Sequence, residues 1–267
     1  MKLSQVDEMV ESFKKKDRFF FPRIIHQIWI TDPKAPKDPP EEWDRGKSVW
    51  MEKHPNWLYI RWDTEMCREI AAACGELMLY DSFPYLIQRC DVARYFILLR
   101  YGGMYVDMDI VPAENIERFF TFSSSIWLLR AHISTYPWWV RDYFVCVNND
   151  IIISQPGALF LKELIQKLRD PKPWWSFEKH LDVMTTTGPL RVVETLSTTR
   201  DTVTFLPYQF MHRSNLKAHR HYEGDSVIIP LKGGGSWIDF RPTVTLLVSL
   251  FIVGICAVVY IIFRKRG

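Results

Sequence analysis

The chain has 267 residues, 48% of them hydrophobic and 15% aromatic, enough to fill the core of one large domain, or of one domain plus a small appendage. Its net charge of +3 is slight, and Lys and Arg are scattered apart from short runs at Lys14 to Lys16 and Arg264 to Arg266, which excludes a nucleic-acid-binding surface. Five cysteines, an odd number without C-x-x-C spacing, argue against a zinc site or a disulfide framework; Cys67 and Cys74 are near enough to pair, but a buried thiol is the default state of each.

Met1 to Arg18 is polar and charged with no apolar centre, so it does not read as a signal peptide. Val6, Met9, Val10 and Phe13 recur at helical spacing and predict an amphipathic helix, lying either on the domain or on a membrane. A hydrophobic strand is predicted from about Ile24 to Ile30, with His26 as a core histidine; Trp29, taken alone, reads as core. Thr31 to Pro40 holds four prolines and is a loop. Glu41 to Lys53 reads as a helix and Trp57 to Trp62 as a strand, followed by a helix to about Cys74 capped by Asp63 or Thr64.

From Gln88 to Pro112 the pattern is helix, tight stop, strand. Leu86, Ile87, Cys90, Ala93, Ile97 and Leu98 have helical spacing, and Gly102 and Gly103 supply a left-handed stop. The period then changes to two: Met104, Val106, Met108 and Ile110 point one way, and Tyr105, Asp107 and Asp109 the other, until Pro112 closes the strand. Two neighbouring carboxylates repel, and a divalent cation removes that cost; oxygen ligands suit Mg²⁺ or Mn²⁺. Asp91 and Arg94, three apart on the preceding helix, share a face. Strands alternating with helices predict a mostly parallel sheet covered on both faces, with ligands at the carboxyl ends of its strands.

Further on, Ala113 to Phe120 reads as a short helix or turn and Ser123 to Arg130 as a strand. Tyr136, Trp138, Trp139, Tyr143 and Phe144 form an aromatic cluster that suits an acceptor site, a bilayer interface or a core equally. Asn148, Asn149 and Asp150 read as turn formers before a hydrophobic segment, and Ala158 to Leu168 as an amphipathic helix. Thr187, Gly188 and Pro189 make a turn opening a helix, and Thr202 to Leu206 a strand. His212, His219 and His221 are irregularly spaced and read as a solvated or phosphate-facing loop. Thr243 to Phe263 carries no charge and is followed at once by Arg264, Lys265 and Arg266. About 20 residues at ~1.5 Å rise cross a ~30 Å hydrocarbon layer, so this segment predicts a transmembrane helix.

The string DVARYFILLRYGGMYVDMDI resembles the core of glycosyltransferase family 32, and within it the mannosyltransferases acting on inositol phosphorylceramide. Blocks in the family's order accompany it across residues 22 to 240: IIHQIW around Trp29, the passage from Pro55 to Asp63, the Asn149–Asp150 pair, VMTTTGP ending at Pro189, and a closing GGGSW with Ser236 and Trp237. The resemblance implies a GT-A-type, Rossmann-like, mostly parallel sheet flanked by helices, to which the sequence adds the C-terminal span. The boundaries are then 1–21 for a polar amphipathic segment, 22–240 for the glycosyltransferase domain, 243–263 for the membrane helix and 264–267 for a basic tail.

It further implies a retaining, metal-dependent hexosyltransferase moving mannose from GDP-mannose to a membrane lipid. By this resemblance Asp107 and Asp109 hold Mn²⁺ or Mg²⁺, and Asn149 and Asp150 face the reacting carbon. Trp29 stacks on the base. Asp91, Arg94, Tyr105, Thr187, Gly188, Ser236 and Trp237 hold the donor. The family's next His is Ile238 here, so no third metal ligand is named. Partners are then a sugar nucleotide, a lipid acceptor, the bilayer and a regulatory membrane subunit, but no nucleic acid. The place is the Golgi or another endomembrane, as a single-pass protein. Alternatives are a mannosyltransferase of protein-linked glycans and a non-catalytic membrane regulatory subunit; the intact D-x-D with Asp91 and Arg94 speaks against the second.

Overall fold

In the computed structural model, which describes residues 1–17, 19, 21–120, 124–130, 147–174, 176, 178–206, 210 and 227–231, the run IIHQI forms strand β1 (Ile24–Ile28), buried at every residue. A strand buried on both faces belongs in the middle of a parallel sheet. β1 lies between β2 (Leu58–Trp62) and β3 (Gly103–Val106) and runs parallel to both. β3 leads to β4 (Ile110–Pro112), which leaves the main sheet. β5 (Ile126–Arg130) and β6 (Val147–Ser154) are antiparallel, β6 is antiparallel to β3, and β7 (Val203–Leu206) runs parallel to β5. The order across the six-stranded sheet is β2-β1-β3-β6-β5-β7. β8 (Ile228–Pro230) pairs with β4 in a separate two-stranded ribbon. The sheet is therefore mixed and mostly parallel: each antiparallel pairing described within it has β6 as one partner.

Alternation along the strands splits the core in two. Ile24, Ile28, Tyr105, Ile126, Leu128 and Ile152 face one layer, and Ile25, Met104, Val106, Trp127, Leu129 and Ile153 the other. The first layer is covered by helices α1 (Leu3–Lys14), α3 (Thr64–Ala73), α4 (Leu77–Ser82), α5 (Leu86–Tyr101), α6 (Leu159–Lys167) and α8 (Pro189–Leu196). α2 (Glu41–Lys53) covers the second layer through Trp50, fully buried and donating Nε1 to Ile110 O at 2.9 Å. Between α6 and α8 comes α7 (Lys179–Thr186). The predicted helix at 41–53 matches α2 in both bounds. Asp63 is the cap of α3, accepting the Met66 amide at 2.9 Å. α1 lies on the domain: Val6 and Val10 enter the core, while Asp7 receives Arg100 at 3.0 Å and the Tyr101 hydroxyl at 2.7 Å.

α5 stops where its sequence says it must. Gly102 has φ 67° and ψ −159°, a conformation open to glycine but outside the left-handed helical cap that the sequence suggested. Gly103, at φ 92°, lets β3 close on β1: a Cβ there would lie 2.6 Å from Ile24 O. The same contact seats His26, which bonds Gly102 O through Nε2 at 2.9 Å and accepts Trp62 Nε1–H at Nδ1, at 3.1 Å. With Nδ1 accepting, Nε2 carries the proton. Burial drives the His26 pKa down to about 3, so the imidazole is neutral, a core histidine as expected. Cys67 and Cys74 are free thiols.

Three expectations are corrected. The D-x-D segment is not a continuous strand: β3 ends at Val106, residues 107–109 turn with Ile110 N donating to Asp107 O at 3.2 Å, and β4 restarts toward β8. Asn148, Asn149 and Asp150 are no turn; they sit inside β6, because that strand must run on to pair with β5 and β3. The single-pass membrane placement, with its Golgi or endomembrane address, is overturned for the described residues, among which no helix is long and apolar enough to cross a membrane. The longest of them, α5, has 16 residues, or ~24 Å at ~1.5 Å each against the ~30 Å needed, and it carries Arg89, Asp91, Arg94 and Arg100. Segment 243–263, the aromatic cluster at 136–144 and the histidines at 212–221 lie outside the described residues.

Candidate active site

α5 is buried nearly all round through its middle, and that is where it carries charge. Asp91 and Arg94 are each 3% exposed, one turn apart and 2.9 Å from each other. A buried ion pair persists only if its remaining polar atoms are satisfied, and β3, β6 and the end of α7 contribute the partners. Asn149 of β6 donates Nδ2 to Asp91 Oδ1 at 2.9 Å. Thr187, at the end of α7, donates Oγ1 to Asp91 Oδ2 at 2.8 Å. Arg94 donates Nη1 to the Asn149 carbonyl and stacks its guanidinium 4.3 Å from the centre of the Tyr105 ring. Its Nη1 also lies 3.5 Å from Asp107 Oδ1, the oxygen that receives the Tyr105 hydroxyl at 2.6 Å. Six residues proposed for the site from sequence, Asp91, Arg94, Tyr105, Asp107, Asn149 and Thr187, therefore form one cluster joined by hydrogen bonds and ion pairs.

The cluster lies at the carboxyl end of β3, where a parallel α/β sheet offers its crevice. Asp107, 34% exposed at its side chain, is the member that reaches outward. Its amide donates to Asp150 O at 2.9 Å, which ties the turn to β6. Asp109 is 9% exposed, and its carbonyl accepts the Leu231 amide just beyond β8. Gly188 caps α8 next to Thr187, and a Cβ on it would lie 2.9 Å from Val183 O. Trp29 stands just past β1, half-buried, donating Nε1 to Lys37 O at 2.7 Å and meeting Trp43 edge-on at 6.1 Å, so these two contacts tie it to the Pro-rich loop and α2. Ser236 and Trp237 lie outside the described residues.

Electrostatics follow from the burial. Desolvation pushes the Asp91 carboxyl up to about 6, while Arg94 and the hydrogen bonds from Thr187 and Asn149 pull it back. Burial also opposes charge on Arg94, but Tyr105, Asp91 and Asp107 outweigh it and keep the guanidinium protonated. One guanidinium thus faces two carboxylates, with Asp109 close by in sequence, an excess of negative charge that suits a cation. Among the described residues no group of three or more His, Cys, Asp and Glu is arranged to hold a metal. Asp107 and Asp109 offer hard oxygen donors of the type Mg²⁺ and Mn²⁺ take, and these ions routinely complete their shell with water and substrate phosphate.

Sequence reasoning missed Tyr95. Its hydroxyl accepts Asn149 Nδ2 at 3.1 Å and donates to Thr187 O at 2.7 Å, closing the ring around Asp91. The signal was present: Tyr95 follows Asp91 by four, on the same helical face.

Residues 40–126 match the model of the family described as "Glycosyltransferase sugar-binding region containing DXD motif". It is 34% identical over 175 residues to inositol phosphoceramide mannosyltransferase 3 of Schizosaccharomyces pombe, a match covering 63% of this chain and 43% of the relative. It is 32% identical over 171 residues to mannosyl phosphorylinositol ceramide synthase SUR1 of Saccharomyces cerevisiae, covering 63% and 40%. The matches thus span less than half the length of these relatives. The solved structure described as PaToxG Glycosyltransferase shares the fold, with a TM-score of 0.50 and 15% identity over 71% of this chain and 76% of that one.

Proposed function

We propose that this chain is a retaining hexosyltransferase that moves mannose from GDP-mannose to a membrane lipid of the inositol phosphorylceramide type. The observation that carries this reading is the buried Asp91–Arg94 pair joined to the outward Asp107. Two relatives bear names that state this acceptor class. In this reading Asp91 and Arg94 bind hydroxyls of the donor hexose. Paired carboxylate and guanidinium groups suit that task, because a sugar hydroxyl both donates and accepts. Tyr105 fixes Asp107, and Thr187 with Gly188 closes the donor pocket beside Asp91. Trp29 offers its face to the base, and Ser236 and Trp237 are assigned to the diphosphate from their place in the closing GGGSW sequence. Asn149 and Asp150, on β6, are the polar groups nearest the reacting carbon.

Asp107 and Asp109 hold Mn²⁺ or Mg²⁺, which when bound neutralises charge on the departing diphosphate. The protein's own residues then orient the donor and exclude water from it. The acceptor hydroxyl attacks from the face the phosphate leaves, so its proton passes to the leaving oxygen and the anomeric configuration is kept. The test is a matrix of sugar nucleotides against lipid and glycan acceptors with MnCl₂. Mannosylated inositol phosphorylceramide is the expected product. Transfer to a protein-linked glycan alone would replace the acceptor, and no transfer or donor hydrolysis under any condition would refute the enzyme.

A further inference from the structure

Asp107 is held by more than its side-chain partners. Gln27, in the middle of β1, is fully buried, and a buried amide must find partners on both its oxygen and its nitrogen. It donates Nε2 to the Asp107 carbonyl at 3.2 Å and accepts the Tyr59 hydroxyl at Oε1, at 2.7 Å. Tyr59 stands on β2, half-buried, with the Lys47 ammonium 5.3 Å from its ring centre. A side-chain relay thus runs from α2 through β2 and β1 to the backbone of the turn that bears the two aspartates. Because the Tyr59 hydroxyl donates to Oε1, it orients the Gln27 amide with its N–H toward Asp107. With the Asp107 amide fixed on β6, the peptide groups on both sides of its Cα are anchored. Gly46 of α2 packs against the turn and β4, where a Cβ would lie 3.2 Å from Val111 and 3.7 Å from Met108 O.

We propose that Gln27 and Tyr59 are positioning residues that aim the Asp107 carboxylate. This deepens the functional reading above and rests on it. Neither side chain needs to touch substrate: the pair fixes the peptide from which Asp107 projects. Partners one step behind a ligating carboxylate typically govern about 10–100-fold in metal affinity or activity. Gln27→Leu keeps the size and removes both hydrogen bonds. Tyr59→Phe removes only the hydroxyl, leaving the amide free to turn.

The experiment titrates GDP into the full chain by calorimetry, once with MnCl₂ and once with EDTA, beside thermal melts. We expect the Mn²⁺-dependent affinity to fall about tenfold or more in Gln27→Leu and about threefold in Tyr59→Phe. The affinity in EDTA should stay unchanged, and Tyr59→Phe should add nothing in the Gln27→Leu background. General loosening of the fold would instead lower both affinities together. Wild-type Mn²⁺-dependent affinity in Tyr59→Phe, or equal losses with and without Mn²⁺, would overturn the inference while leaving the functional reading intact. A wild-type chain with no Mn²⁺-dependent GDP binding would overturn the functional reading, and this inference with it.

Discussion

The two ends of α5 bury polar groups against the same sheet in opposite ways. Near the C-terminal end, His26, Trp62 and Gly102 make a neutral set in which each imidazole nitrogen has one partner. Toward the N-terminal end, Asp91 and Arg94 are ionised, the side chains of Asn149, Thr187, Tyr105 and Asp107 converge on them, and the group opens outward through Asp107. A polar group kept only for structure is satisfied as cheaply as possible, without charge. Buried charge costs several kcal/mol per ion before pairing; in the proposed function the Asp91–Arg94 pair meets that cost in order to hold the donor.

The largest effect should come from the outward member. Asp107→Ala should lower transfer or donor hydrolysis by at least about 10³-fold, since losing a bound cation forfeits several kcal/mol of charge stabilisation. Its stability should change by about 1 kcal/mol or less, because the side chain is a third exposed. A urea titration beside the assay checks both. Arg94→Met should break the comparison outright by leaving Asp91 buried without its counter-charge, at a cost of roughly 3–5 kcal/mol in the same urea titration.

The two ends should also titrate in opposite senses. His26 has a folded pKa of about 3 against an ordinary 6.5, so its contribution to stability is present above pH 6.5 and is lost as pH falls toward 3. Asp91 has a folded pKa of about 6 against 3.8, so its contribution is present below pH 3.8 and is lost as pH rises through 6. Each slope is at most about 1.4 kcal/mol per pH unit. Stability curves of His26→Gln and Asp91→Asn, each subtracted from wild type, should therefore slope in opposite directions between pH 4 and 6; parallel slopes would erase the distinction. The smallest effect is expected for Thr187→Val, which deletes one hydrogen bond to Asp91 at about 1–3 kcal/mol and moves the Asp91 midpoint further up, read from the same curves.

Much of this was legible in the chain before its structure. α2 and α5 announce themselves by period and by the residues that stop them, and the pair Asp91–Arg94 is visible as a one-turn spacing. The hydrogen bonds that make the site were not legible, because they join residues distant in sequence. Thr187 reaches Asp91 across 96 positions and Tyr59 reaches Gln27 across 32. Asn149 and Asp150 misled for a physical reason: N-N-D has the chemistry of a turn, and in β6 that chemistry is turned onto Asp91 and the Asp107 amide. Strand alternation failed at Asp107 because pleating ends where β4 departs for another sheet, which neither residue type nor spacing announces.

A crystal structure of the chain with Mn²⁺ and GDP-mannose tests the central claim most directly. The expected result is a cation at about 2.0–2.2 Å from an Asp107 oxygen, the diphosphate on that cation, and mannose hydroxyls on Asp91 and Arg94. A nucleotide bound away from the carboxyl end of β3, with Asp91 and Arg94 contacting only protein, would contradict it.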